Sequence, residues 1–200
     1  MGQYTRKLSS VTWLTGIDMG RMKPKKLRLT PDHGWRARAN HKILVLGRGA
    51  LRLEYPNTWI VEATDDCVKI HDKPPPDDDC VVGVSYHHWP VIGHQLPLAL
   101  LVCEALKSDE RTLLRTETIV EETRIDLTLA WGEGRFTDSR VNREACSRLC
   151  IARKAEIQAL ISFDFWLDDL TSCHAHWNAI LASLQLGQWV PDPQRGPSLS

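Results

Sequence analysis

A chain of 200 residues with 42% hydrophobic and 25% charged content has the composition of an ordinary globular domain. At that length roughly 70% of the unfolded surface is buried, so folding requires neither a metal nor a disulfide. The first 22 residues lack the apolar run of an export signal, no 18-residue apolar stretch is present for a membrane span, and the expectation is a reducing cytoplasm with six free cysteines.

Net charge is zero but unevenly spread. Residues 1–40 hold nine Lys/Arg against Asp18 and Asp32, which leaves the other 160 residues at minus seven. Residues 1–30 show no sustained apolar period and carry Arg21, Lys23, Lys25 and Lys26, so they read as a basic arm ahead of a domain spanning 31–190, with 191–200 as a C-terminal tail.

Within the domain, Ile43-Leu44-Val45-Leu46 and Leu51-Arg52-Leu53-Glu54-Tyr55 predict two short strands around Gly47-Arg48-Gly49. Trp59-Ile60-Val61 opens another. Residues 67–71 alternate, with Val68 and Ile70 on one face and Lys69 and His71 on the other. Three prolines and three aspartates in residues 73–79 make an exposed loop, because proline cannot donate to a ladder. A longer strand follows over 80–89, and the spacing of Leu98, Leu101, Val102, Ala105 and Leu106 predicts a helix.

Residues 116–122 and 125–137 predict a hairpin around Thr123-Arg124, with Ile125, Leu127, Leu129 and Trp131 on one face. Segment 143–166 fits two patterns: Cys146, Leu149, Cys150, Arg153 and Ile157 would line one side of a helix, while Ile157, Ala159, Ile161, Phe163 and Phe165 alternate as a strand. Two strands joined at Lys154-Ala155-Glu156 are the preferred reading. A last helix after Asp168-Asp169 buries Cys173, Trp177, Ile180, Leu181 and Leu184 and stops at Gly187. The class is α+β, an antiparallel sheet with helices packed on it.

At Tyr55-Pro56-Asn57-Thr58-Trp59, and in a closing helix over 177–186 containing Ala182-Ser183-Leu184, the chain resembles the Mog1/PsbP-like superfamily over residues 48–186. Thr58 stands where members often carry Gly. Pro75-Pro76-Asp77-Asp78-Asp79-Cys80, Arg143-Glu144-Ala145-Cys146-Ser147-Arg148 and Phe163-Asp164-Phe165-Trp166 look like landmarks of uncharacterised bacterial members. The resemblance implies an α/β/α sandwich. It also implies a binding or assembly role, since known members act on a small GTPase or a photosystem, although fold alone does not confer function.

Candidate chemistry is sparse. His87 and His88 are strand neighbours facing opposite sides and cannot share an ion without a kink. Cys173 and His176 share a helix face, but His174 points away and no CxxC or HExxH accompanies them, so no metal site or cofactor is expected. Cys146 and Cys150 lack a nucleophile motif. Asp77, Asp78 and Asp79 lack the spacing of a calcium loop and read as a solvated acidic surface. The eight tryptophans are informative: Trp35, Trp59, Trp131, Trp166 and Trp177 fit core positions, whereas Trp89 and Trp189 flank prolines in exposed segments, where aromatics anchor interfaces.

The resulting expectation is a noncatalytic protein-interaction module, an accessory subunit of a larger intracellular assembly. Its partner would be bound through Arg21, Lys23, Lys25, Lys26, Asp77, Asp78, Asp79, Trp89 and Trp189. Two alternatives stand beside it: an enzyme using His87, His88 and a cysteine, and a nucleic-acid-associated protein binding through the basic arm, with Trp13 or Trp35 stacking on bases.

Overall fold

Alternation in the long strands and helical period in two segments build a layered structure. The computed structural model describes residues 28–64, 66–88, 96–109, 111 and 119–197, together with the backbone of residues 5–7, 10–14, 25–27 and 113–116. In chain order the elements are β1 (Thr5–Lys7), β2 (Ser10–Leu14), β3 (Lys25–Arg28), β4 (Arg36–Arg38), β5 (His41–Leu46), β6 (Leu51–Pro56), β7 (Ile60–Ala63), β8 (Val68–His71), β9 (Cys80–His88) and α1 (Leu98–Lys107). They continue with β10 (Leu113–Thr116), β11 (Val120–Thr123), β12 (Thr128–Asp138), β13 (Arg143–Lys154), β14 (Ile157–Trp166), α2 (Leu170–Ser183) and β15 (Gln185–Leu186).

Among the described residues, an eight-stranded sheet runs β10-β12-β13-β14-β9-β8-β7, with β11 also on β12, and a five-stranded sheet runs β15-β6-β5-β2-β3. The fold is α+β. Helix α1 covers one face of the larger sheet, where Val102 and Leu106 meet Ala130 and Ile151. Helix α2 and the smaller sheet cover the other face, where Trp177, Ile180 and Leu181 join Leu51 and Leu53 with Ile161 and Phe163.

The two-strand reading of 143–166 holds. β13 pairs along nearly its whole length with β12 on one side and β14 on the other, Ala145↔Trp166 through Lys154↔Ile157 in the latter case. Its helix-like pattern has a physical source: a central strand buried on both faces loses the polar alternation that marks a half-buried one. The hairpin turns at Ala155, whose φ is +47°.

Four expectations meet a different local outcome. The turn between β11 and β12 spans 124–127, closed by the Arg124 N–H on the Leu127 carbonyl, and this turn leaves Ile125 fully exposed rather than on the face of Leu127 and Leu129. His71 is buried, because the acidic loop folds over its side of β8 and Asp78 bonds its ring. Helix α2 ends at Ser183, before Gly187, since Gln185 and Leu186 turn extended to pair with Arg52 and Leu51.

The fourth concerns the two termini. Within the expected arm, β1 pairs with β4, β2 runs parallel to β5 (Thr12↔Leu44 to Leu14↔Leu46) and β3 pairs with β2. Strands of three to five residues are too short to display a period, yet their backbone groups pair as well as any. Beyond residue 190, the Trp35 indole donates to the Pro193 carbonyl at 2.9 Å and the Gly34 N–H to Arg195 at 2.6 Å. Gly196 lies so close to the Trp35 ring that a Cβ would fall 2.6 Å from Nε1, and its φ of +76° also favours glycine.

Deleting residues 1–30 removes the parallel partner of β5 and opens an edge of the smaller sheet. The expected outcome is a thermal midpoint lowered by several degrees, each kcal/mol being worth about 2–4 °C at this chain length. Calorimetry of full-length and shortened chains measures this. An unchanged midpoint would show that β1 to β3 add no stability.

Candidate functional site

Three features on the two faces of the larger sheet gather charged and sulfur-bearing side chains. The first is the loop between β8 and β9. Asp72 closes its neck, one carboxylate oxygen accepting the Asp79 N–H at 3.0 Å and the Cys80 N–H at 3.2 Å. Asp78 turns inward to His71 Nδ1 at 3.0 Å, and Asp79 pairs with Lys73. The proline-rich segment is therefore a held structure, and it presents Asp78 and Asp79 to a cleft of about 240 Å³.

Asp138 at the end of β12 and Asp164 on β14 complete the acidic wall of that cleft, over a floor of Phe136, Phe165 and Trp166. Arg111 lies over the Phe136 ring at 4.1 Å and donates to Asp109, to Asp164 at 3.1 Å and to the Ser147 hydroxyl at 3.0 Å. Its guanidinium holds the Asp109 carboxyl below the usual range.

On the other side of the loop a smaller cavity of about 150 Å³ is lined by Trp59, Asp72, Cys80, Cys173 and His176. The His176 ring meets Trp59 edge-on at 5.1 Å, and burial lowers its pKa. The third feature is a buried ion pair facing α2: Arg148 Nε donates to Glu133 at 2.8 Å, and Arg135 donates to the other carboxylate oxygen at 3.2 Å. The Arg148 guanidinium lies 5.6 Å from Trp131 and 5.3 Å from Phe165.

The residues singled out from sequence are not gathered in one place. Asp77, Asp78 and Asp79 sit at the Cys80 end of β9. Trp189, 64% exposed with Arg48 over its ring, sits at the opposite end, where Gly47 abuts Tyr86. Lys25 and Lys26 fall in β3, and Arg21, Lys23 and Trp89 lie outside the described residues. Among the described residues, no group of three or more His, Cys, Asp or Glu stands where it could hold a metal ion.

The geometry also separates the members of the enzyme alternative. His87 and His88 are exposed at the far end of β9, roughly 23–26 Å from Cys80 at about 3.3 Å per residue. Cys146 lies level with Phe165 and Cys80 across the sheet, and Cys150 at mid-sheet beside Ile161. Burial, with help from the Glu133 charge, pushes the Cys146 thiol up to about 11, and burial pushes Cys150 up to about 12, so both are protonated at neutral pH. The sequence reading gives no role to Arg111, Asp138 or Asp164, which lie far apart in the chain. Glu133 and Arg148 were more visible, as charges in mid-strand.

A family model described as Alr1449 matches residues 42–190. "Uncharacterized protein alr1449" of Nostoc sp. (strain PCC 7120) is 33% identical over 193 residues, 96% of this chain and 96% of that one. The chain belongs to the Alr1449 family. Among solved structures, PsbP (CyanoP) from Synechocystis sp. PCC 6803 is similar with a TM-score of 0.53 at 13% identity, covering 76% of this chain and 95% of that one. LpqN from Mycobacterium tuberculosis gives 0.49 at 10% identity, covering 69% and 83%. By its likeness to CyanoP, this Alr1449-family chain has a PsbP-like fold, and at 13% identity the likeness is one of fold alone.

Two outcomes are expected at these sites. Glu133→Ala strands the buried Arg148 charge and should lower unfolding free energy by about 3–5 kcal/mol in denaturant titration; a loss under 1 kcal/mol would mean that water reaches the guanidinium. For His176, the folded chain holds the ring neutral below its ordinary value of 6.5, while the unfolded chain takes up the proton there. Stability is thus full above pH 6.5 and falls as pH drops below it toward the lower folded value. His176→Gln should flatten that slope in a pH series of thermal midpoints, and an unaltered slope would assign it to other groups.

Proposed function

We propose that this chain is a noncatalytic interaction module, an accessory subunit of a larger cytoplasmic assembly, and that it docks a basic segment of a protein partner on the cleft beside Asp77, Asp78 and Asp79. The supporting observation is the make-up of that cleft: carboxylates of Asp78, Asp79, Asp138 and Asp164 stand around Phe136, Phe165 and Trp166, with Arg111 as the cation among its lining residues. A lysine or arginine suits such a site. Its methylene stem covers the aromatic floor while its charged head meets the carboxylates.

Two further facts favour binding over catalysis. The histidines and cysteines of the enzyme alternative are apart, and the Cys146 and Cys150 thiols are held protonated. The Mog1/PsbP-like fold is also one whose members the sequence resemblance ties to binding and assembly. Trp189 with Arg48 offers a separate contact at the other end of the sheet.

The test is affinity capture from the native host, followed by titration of the recovered partner against the wild-type chain and the double variant Asp78→Asn, Asp79→Asn. Weakening of about tenfold or more is expected, near 1.4 kcal/mol, together with a salt dependence that the variant loses. Equal affinity and equal salt dependence for both chains would remove the cleft from the binding surface.

A further inference from the structure

The smaller cavity holds a feature that the docking role does not use. Cys80 is the first residue of β9 and Cys173 sits in the first turn of α2, 93 positions later in the chain. They are 6% and 3% exposed and line the same cavity of about 150 Å³. Three of the other cysteines sit elsewhere: Cys67 meets Thr64, Cys146 meets Glu133, and Cys150 is enclosed at mid-sheet.

We propose that Cys80 and Cys173 are a redox couple, in which Cys173 attacks a hydroperoxide and Cys80 resolves the product to an intramolecular disulfide.

The surroundings distinguish the two sulfurs. Cys173 lies at the positive end of the 14-residue helix α2, which favours its thiolate. Its pKa is lowered, the neighbouring Cys80 thiol being the main cause and Ser172 contributing, against the opposing effects of burial and of the Asp169 and Asp72 charges. The Cys80 thiol is pushed up by its Cys173 neighbour, by burial and by the Asp72 carboxylate.

In the first step the Cys173 sulfur bonds to the outer peroxide oxygen and the O–O bond breaks. Sulfur gives up two electrons, an alcohol leaves (water, for hydrogen peroxide), and Cys173 becomes a sulfenic acid. The Cys80 sulfur then bonds to the Cys173 sulfur as the S–O bond breaks, and the hydroxyl departs as water with the Cys80 proton. Two thiols and one hydroperoxide thus become one disulfide, one alcohol and one water. The product ties the start of β9 to the start of α2, next to the loop that carries Asp78 and Asp79.

The experiment uses the full-length reduced chain and hydrogen peroxide at several concentrations, with thiol titration followed by peptide mapping without reductant. The expected result is loss of two of the six thiols and a peptide linking Cys80 to Cys173, reversed by dithiothreitol. In Cys80→Ser, a sulfenic-acid trap should label Cys173; in Cys173→Ser, Cys80 should stay unlabelled under the same conditions. Wild-type mapping decides the matter even if a variant fails to fold. Six intact thiols, a disulfide between other cysteines, or stable oxidation of Cys173 without the link would overturn the proposal.

Discussion

The position of α2 rests on one aromatic contact set. Trp177, fully buried, meets Trp131 edge-on at 5.8 Å and stacks with Phe163 at 6.1 Å, and Trp59 closes on the far side of Phe163 at 6.2 Å. Rings of this size dominate the apolar area a helix buries, and their preferred edge and offset geometries leave few ways to seat it. With Trp177 seated, Cys173 comes against Cys80, His176 against Trp59, and Thr171 and His174 over the Glu133 and Arg148 pair. The smaller sheet follows as well, since Ser183 donates to the Ile180 carbonyl while accepting the Glu54 N–H, and β15 pairs with β6.

Around this apolar centre the buried carboxylates are paired, whereas Trp177 Nε1 and Arg148 Nη1 are buried without a hydrogen-bond acceptor. Glu133 lies on the covered face of β12 among aromatic rings, where an isolated carboxylate would cost several kcal/mol. Arg148 one strand away and Arg135 two residues on supply its donors. Asp72 plays a comparable part at the loop neck by accepting two backbone N–H groups that proline-rich chain cannot otherwise satisfy. The acidic loop is thereby held as a wall between two cavities. The acidic cleft and the cavity of Cys80 and Cys173 share that wall, with Asp79 and Cys80 bordering both.

Long elements were legible in the residues. Alternation through Ile157, Ala159, Ile161, Phe163 and Phe165 marks β14 because one face of that strand is buried and the other is half-open. Cys173, Trp177, Ile180 and Leu181 mark the buried face of α2 because its opposite side meets water. Where a segment was very short, as with β2 and β3, or reversed direction inside an apolar run, as at Ile125, backbone hydrogen bonding chose the outcome and left no periodic trace.

The sequence by itself determined the α+β class, the order of the long strands and helices, the proline-rich acidic loop and the Mog1/PsbP-like resemblance, because each is written in local period or in adjacent residues. Only the tertiary structure decided which of those residues meet. Cys80 and Cys173 are 93 positions apart, and Asp78, Arg111, Asp138 and Asp164 come from four separate segments. Strand register and the seating of Trp177 bring them together, and both are set by packing across the sheet, a quantity that no single stretch of chain carries.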